Sequence, residues 1–293
     1  MHTGYGNALR QAMGERDIIS FIGVYDTFSA SLAAEHFDGL FISGFSFAAS
    51  YYGLPDIGFI AWPDIVGVVE RIRTILPEHH IMVDMDDGYG DAEVAAHVTA
   101  LLESAGASGI IMEDQKRPRR CGHYGGKQLL PLEEFLVKLE RVLGARRELV
   151  VVARTDATDQ EDRLARALAF EAAGADAILA DGLESLDVLR ELTARVHRPV
   201  MFNQIAGGKS PPCDLAELKA AGVSLVNYST PCLFAAQAAI ESSMLKLKQS
   251  GGRLPSAKEQ PVRLAECTNV LKRNFARRFE PVHAAPVAES VAR

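Results

Sequence analysis

Short apolar runs rich in valine and isoleucine alternate with longer stretches whose apolar residues recur three or four positions apart. The runs are IISFIGVYD (18–26), GLFISGF (39–45), HIMVDMDD (80–87), GIIMED (109–114), LVVVARTD (149–156), AILADG (177–182), PVMFNQI (199–205) and SLVNYS (224–229). Near-continuous apolar runs are what parallel strands covered on both faces require. Between them the spacing predicts helices over 29–37, 63–76, 91–105, 132–144, 160–173, 184–196, 214–221 and 231–248. An internal echo supports the alternation. AGASGIIMED (105–114), AGADAILADG (173–182) and AGVSLVNYST (221–230) each place Ala-Gly at a helix end, then a short link, then a strand. The glycine takes the left-handed backbone that closes a helix at low cost.

Eight strands alternating with eight helices predict an α/β fold, a (β/α)8 barrel spanning residues 1–250. An open doubly wound sheet is the alternative; it has fewer strands, and no GxGxxG opens a helix after the first run. GGKS (207–210) is not a phosphate loop, because Asn203 stands where the leading glycine is needed. A further helical segment at 257–279 lies beyond the completed barrel. Residues 251–279 therefore read as a C-terminal helical extension able to pack on a neighbouring subunit, and 280–293 as a loose tail.

Composition narrows the classes. The length of 293 residues with 48% apolar content suits one large α/β domain or two ordinary ones. A net charge of −7 and no extended basic face give no footprint for nucleic acid. No apolar run reaches the ~18 residues of a membrane span. The start, MHTGYGNALRQAM, lacks the basic-then-apolar layout of a secretion signal, so a cytoplasmic location is expected. Cysteines at 121, 213, 232 and 267 form no CxxC, which in a reducing compartment makes them thiols.

In such barrels the active site lies at the C-terminal strand ends. Those ends carry Tyr25 and Asp26; Ser43 and Gly44; Asp84, Asp86 and Asp87; Glu113 and Asp114; Arg154 and Asp156; Asp181; Asn203 and Gln204; Tyr228 and Ser229, with Asp56 in the loop after strand two. Asp84 and Asp86, two apart, point to one side of the chain. Gathered carboxylates resist joint ionisation, and a hard divalent cation such as Mg2+ removes the repulsion. Helix capping and strand-end hydrogen bonds are the other uses open to each Asp. The segment MEDQKRPRRCGHYGGK (112–127) brings five Lys and Arg around Cys121 directly after strand four. Its glycines and proline suit a lid over the mouth, and its charge suits an anionic substrate. Arg119, Arg120, His123 and Lys127 would favour a Cys121 thiolate able to exchange a proton. A solvated basic loop with an incidental thiol is the competing reading.

DMDDGYG (84–90), EDQ (113–115), RRCGH (119–123) with GGK (125–127), ARTDA (153–157), GLPDIG (53–58), YDTFSA (25–30) and NQIAGGKSP (203–211) together resemble the isocitrate lyase/phosphoenolpyruvate mutase superfamily. The resemblance implies a (β/α)8 barrel whose extra C-terminal helix is exchanged within a homodimer or homotetramer. It implies Mg2+, or Mn2+ in its place, held directly or through water by Asp56, Asp84, Asp86 and Glu113. It implies a small anionic substrate, a 2-hydroxy or 2-oxo di- or tricarboxylate or a phosphonate analogue, with contacts from Ser43, Gly44, Phe45, Gly122, Lys127, Asp181 and Asn203. The Cys-Gly-His lid is found in the carbon–carbon lyase branches, in oxaloacetate hydrolases and in carboxyphosphonoenolpyruvate mutases, and argues against a plain phosphoenolpyruvate mutase. Lyase chemistry would then use Cys121 as proton donor, Arg154 as oxyanion partner, His123 in the lid and Tyr25 as base. A mutase or hydrolase acting on a phosphonate or 2-oxo acid is the second expectation, and an inactive Mg2+- and anion-binding barrel the third. Three positions depart from the resembled pattern. Phe45 follows Ser-Gly where a small residue is usual, Asp181 stands for Glu, and Ala206 stands for Glu before Gly207-Gly208.

Overall fold

Eight parallel strands close on themselves in sequence order: β1 (Ile19–Val24), β2 (Gly39–Ile42), β3 (His80–Asp84), β4 (Gly109–Glu113), β5 (Val150–Thr155), β6 (Ala177–Ala180), β7 (Val200–Gln204) and β8 (Val223–Tyr228), with β8 paired back to β1. The computed structural model describes residues 4–122, 125–256 and 258–279. Helices α2 (Thr27–Ala33), α3 (Gly44–Phe47), α4 (Trp62–Ile75), α5 (Ala92–Ser104), α6 (Leu132–Ala145), α7 (Gln160–Ala173), α8 (Leu186–Arg195), α9 (Leu215–Ala220) and α10 (Pro231–Gln249) follow the strands. The expected (β/α)8 barrel is what forms.

Local chemistry sets the helix ends. Asp159 accepts from the Asp162 backbone N–H at the start of α7, and Gly174, at φ +99°, ends it. Gly106 and Gly222, the other two glycines of the sequence echo, also lie at positive φ. Asp26 and Asp214 each build a reciprocal capping box with the residue three positions on.

Two layers of core result. Ile22, Val24, Leu40, Ile42, Val83, Ile110 and Val151 face outward and pack under the helices. Phe21, Phe41, Met82, Ile111, Val152, Leu179, Met201 and Leu225 fill the barrel interior. An N-terminal helix that the hydrophobic pattern did not reveal, α1 (Tyr5–Glu15), closes the lower end by burying Leu9 and Ala12 in that interior cluster. Its Arg10 ties it to the Leu149 carbonyl at 3.1 Å and Asp176 at 3.1 Å.

Strand two ends three residues before its expected limit. Ser43 caps α3 by accepting from Ser46 N at 3.2 Å, so Gly44 and Phe45 are helical and a π-helical turn continues over Ala48–Tyr52. The extension beyond the barrel contains α11 (Leu264–Phe279), which rests on α2 and α4 of its own chain. There Asn274 donates to Ser31 Oγ at 2.8 Å. Helix α10 buries none of its residues, leaving Ile240, Met244 and Leu245 exposed. No disulfide forms among the described residues, and none of their helices is long and apolar enough to cross a membrane. The tail at 280–293 lies outside the described residues.

Candidate active site

Strand alternation places the site. Two residues beyond the interior residues Met82, Ile111, Val152, Leu179, Met201 and Leu225 stand Asp84, Glu113, Arg154, Asp181, Asn203 and Asn227. A period of two keeps each of the second set on the same inner side as the first. All six are buried. The inner wall thus changes from apolar to ionic in one step along the barrel.

Asp56, Asp84, Asp86 and Glu113 lie near one another, and Arg119 of the lid lies among them. Its guanidinium pairs with Asp56, donates from Nε to Glu113 Oε1 at 2.7 Å, and lies 3.1 Å from Asp86 Oδ1. Arg119 is 1% exposed. Surrounding carboxylates offset the desolvation of this arginine and hold it firmly charged. The carboxylates pay for crowding in the opposite sense. Burial raises Asp84 and, much further, Asp86, with Arg119 opposing in both. Burial pushes Glu113 up to about 8.

The donor set fits a hard divalent ion. Both oxygens of Asp86 and Oε2 of Glu113 are buried without a hydrogen-bond partner among the described residues, and all the donors are carboxylate oxygens. With Arg119 in their midst, however, no three acidic, His or Cys side chains among the described residues are disposed to grip an ion. The guanidinium and a metal would share the same oxygens.

A second cluster fastens the lid. Arg154 donates to Asp181 Oδ2 at 2.7 Å and to Asp156 at 3.1 and 3.2 Å. Lys127 Nζ bridges Asp156 Oδ1 at 2.7 Å and the Gly122 carbonyl at 2.6 Å. Burial would raise Asp156, but Arg154 and Lys127 hold it far below the usual carboxylate range. Gln115 clasps Arg120 through both backbone groups, at 2.8 and 2.9 Å, and Cys121 N donates to the Asp56 carbonyl at 3.1 Å. Gly122 is seated where no other residue fits: a Cβ would fall 2.0 Å from Asp181 Oδ2 and 2.3 Å from Arg154 Nη2. Gly44 plays a similar part, its N–H donating to Asp84 Oδ2 at 3.2 Å where a Cβ would lie 2.8 Å from the same oxygen.

With the lid down, a cavity of ≈ 20 Å³ remains, room for about one water. Ser43, Phe45, Asp56, Asp84, Arg119, Cys121, Gly122, Arg154, Asp181, Asn203, Asn227 and Ser229 are among its walls. The Phe45 ring also meets Phe234 of α10 edge-on at 6.4 Å between centroids.

The remaining expected residues stand elsewhere. Asp86 and Glu113 sit behind Arg119, and Lys127 acts on the lid rather than on the cavity. Tyr25 is not a wall residue; it is half-buried beside Asp26 and Cys232, where burial first and then Asp26 raise its phenol further from use as a base. Other strand-end acids serve the frame. Asp26 caps α2, Asp87 takes two bonds from Arg117 at 2.7 and 2.8 Å, and Asp114 binds Thr155 and Arg166. His123 lies outside the described residues. Asn227 was missed; its signal is that it stands two before Ser229 and, across the ladder, opposite Asn203.

The phosphoenolpyruvate phosphomutase family matches residues 9–248 of the chain. A 2-methylisocitrate lyase of Bacillus subtilis is 34% identical over 83% of this chain and 82% of its own. The crystal structure of a 2,3-dimethylmalate lyase, a PEP mutase/isocitrate lyase superfamily member, superposes with a TM-score of 0.88 at 29% identity, covering 94% of each chain. An oxaloacetate acetylhydrolase bound to 3,3-difluorooxalacetate superposes with a TM-score of 0.87 at 29% identity, covering 93% of this chain and 95% of the other.

Proposed function

The chain belongs to the phosphoenolpyruvate phosphomutase family of the PEP mutase/isocitrate lyase superfamily, and we propose that it is a Mg2+-dependent carbon–carbon lyase acting on a small 2-hydroxy di- or tricarboxylate. The observation that carries this reading is that the Cys121 thiol, the Arg154 guanidinium and the Asp84 carboxylate wall one cavity.

Mg2+ bound among Asp56, Asp84, Asp86 and Glu113 would supply positive charge beside the substrate's 2-oxygen and carboxylate. The chain's own residues do the rest. The lid closes over the substrate through Lys127 and Gln115 and excludes water. Asp181, the wall carboxylate outside the metal-holding set, is available to take the 2-hydroxyl proton. As the C2–O bond becomes a carbonyl, the C2–C3 bond breaks and its electron pair moves into the leaving carboxylate. Cys121 Sγ–H then gives a proton to that carbon, leaving a thiolate, a 2-oxo acid and a second carboxylate. Arg154 faces the charge that builds on oxygen; loss of one such donor commonly costs about 10²–10³ in rate.

Incubation with 2-methylisocitrate, 2,3-dimethylmalate, oxaloacetate and phosphonopyruvate in the presence of Mg2+, with products followed by NMR, tests the proposal. A 2-oxo acid and a carboxylate in equal amounts, lost in Cys121→Ser, are expected. Oxalate with acetate, or phosphate release, would instead support a hydrolase on a 2-oxo acid or phosphonate, a reading favoured by the equally close superposition on oxaloacetate acetylhydrolase. Binding of Mg2+ and acids without turnover would leave a binding barrel. We also propose a homo-oligomer in which a second copy covers the unburied apolar residues of α10.

A further inference from the structure

One buried polar side chain of the cavity wall has no part in this chemistry. Asn227 is 1% exposed, lines the cavity, and leaves Oδ1 without a hydrogen-bond partner among the described residues. An unpaired buried carbonyl costs about 1–3 kcal/mol, so its direction is informative.

That direction is set from a distance. The Asp181 carboxylate is an acceptor only, fixed from one side by Arg154, so Asn203 must turn its Nδ2 toward it, at 2.9 Å. Asn203 Oδ1 then faces the other way and accepts from the Ser229 hydroxyl at 2.7 Å. With its only hydrogen given away, Ser229 Oγ can merely accept, and Asn227 Nδ2 approaches it at 3.2 Å and Asn203 Oδ1 at 3.4 Å. Each link leaves the next no choice. The amide of Asn227 therefore presents its oxygen, not its nitrogen, as the last open atom of the chain. Turning it over would set two carbonyl oxygens against each other.

From this we infer that the substrate carries a neutral hydrogen-bond donor, a hydroxyl or an amide N–H, on the substituent that reaches the β7–β8 side of the cavity, with Asn227 as the residue that selects it. A carboxylate there would meet a carbonyl lone pair. The wall cation outside the metal-holding set, Arg154, is already engaged by Asp156 and Asp181. A methyl group would leave Oδ1 unpaired. The inference rests on the lyase reading for the 2-hydroxy acid core and adds the chemistry of the third group.

The test is binding, measured by calorimetry with Mg2+ present, of three 2-hydroxysuccinates that differ only at C3: ethyl, hydroxymethyl and carboxymethyl. Wild type is expected to bind the hydroxymethyl acid about tenfold more tightly than the ethyl acid, the worth of one neutral hydrogen bond, and more tightly than the carboxymethyl acid. Asn227→Leu should erase the preference over ethyl while keeping affinity for the ethyl acid. Asn203→Ala, which removes the oxygen that Asn227 Nδ2 faces and leaves the Ser229 hydroxyl free to donate to Asn227 Oδ1, lets the amide turn over; it should shift preference toward the carboxymethyl acid, and serves if Asn227→Leu does not fold. Equal binding of all three acids (the result if water fills the place), equal failure to bind, or a wild-type preference for carboxymethyl overturns the inference. Cleavage followed separately distinguishes the two claims. The binding order without turnover sinks the lyase reading alone, and turnover with a carboxymethyl preference sinks this inference alone.

Discussion

Replacing Arg119 by methionine keeps most of the side-chain volume and removes the one cation that Asp56, Asp86 and Glu113 share. Those three carboxylates are 4%, 1% and 1% exposed, so water cannot take the place of the guanidinium. Removing one partner of a buried ion pair costs about 3–5 kcal/mol because the other charge is stranded. Protonation softens the loss at low pH: Glu113, with a pKa of about 8, can shed its charge by binding a proton. In the variant Glu113 loses the charge that opposes its upward shift and rises further, so the full cost should appear only at pH well above 8. At about 2 °C per kcal/mol for a chain of this size, that is a fall in Tm of about 6–10 °C. Mg2+ should reverse it. A ligand at a hundred times its Kd stabilises by about 2.7 kcal/mol when it displaces nothing. In the variant the carboxylates are open to the ion; in wild type the ion must first expel Arg119 and forfeits those ion pairs. Thermal unfolding with and without Mg2+ should therefore show a larger Mg2+-induced rise in Arg119→Met than in wild type, and tighter Mg2+ binding by calorimetry. Arg141→Met, which breaks the exposed pair with Glu93, is the control and should change little. Equal Mg2+ shifts in wild type and Arg119→Met would refute the idea that guanidinium and metal share one set of oxygens.

Three further outcomes are expected. Gly122→Ala adds a carbon 2.0 Å from Asp181 Oδ2; it should block lid closure and lower kcat at least about tenfold while Tm moves by only a few degrees, as steady-state kinetics and calorimetry would show. Burial raises Asp114 to about 6, so the folded state binds the extra proton and stability falls as pH rises from about 4 to about 6; Asp114→Asn should flatten that part of a denaturant-midpoint profile relative to wild type. Leu9→Ala opens a hole in the interior cluster below the site and should cost about 2–5 kcal/mol in urea unfolding.

The fold was legible because parallel strands buried on both faces leave an unbroken apolar signature, and because three Ala-Gly helix ends repeat it. Helix α1 escaped notice: two glycines and few apolar residues in YGNALRQAMGE weaken its pattern, and it is held by the barrel end rather than by its own propensity. The limit of β2 was misplaced because Phe45 extends an apolar run, while the Ser43 cap that turns the chain into α3 looks like any other serine. The acids at the strand ends were visible as a set, but type alone did not sort Asp84 from Asp26, Asp87 and Asp114, which cap or brace. Only the partners Ser29, Arg117 and Arg166 separate them. Arg119 was read as one lid charge among several. That it lies inside the carboxylates follows from the loop's path, which hydrophobic periodicity does not encode.

The lower end of the barrel is stoppered by α1, so the chamber has one doorway, and the lid covers it. A cleavage makes two fragments from one molecule, and in a chamber entered from one side the deeper fragment cannot leave past the shallower one. Departure is then sequential, and depth decides the order. The fragment seated nearer the lid leaves first; the one lodged against the inner wall leaves last and, when added back, competes directly with substrate, while the first-released fragment does not. The stopper at the base of the barrel, far from any reacting atom, thereby sets the pattern of product inhibition.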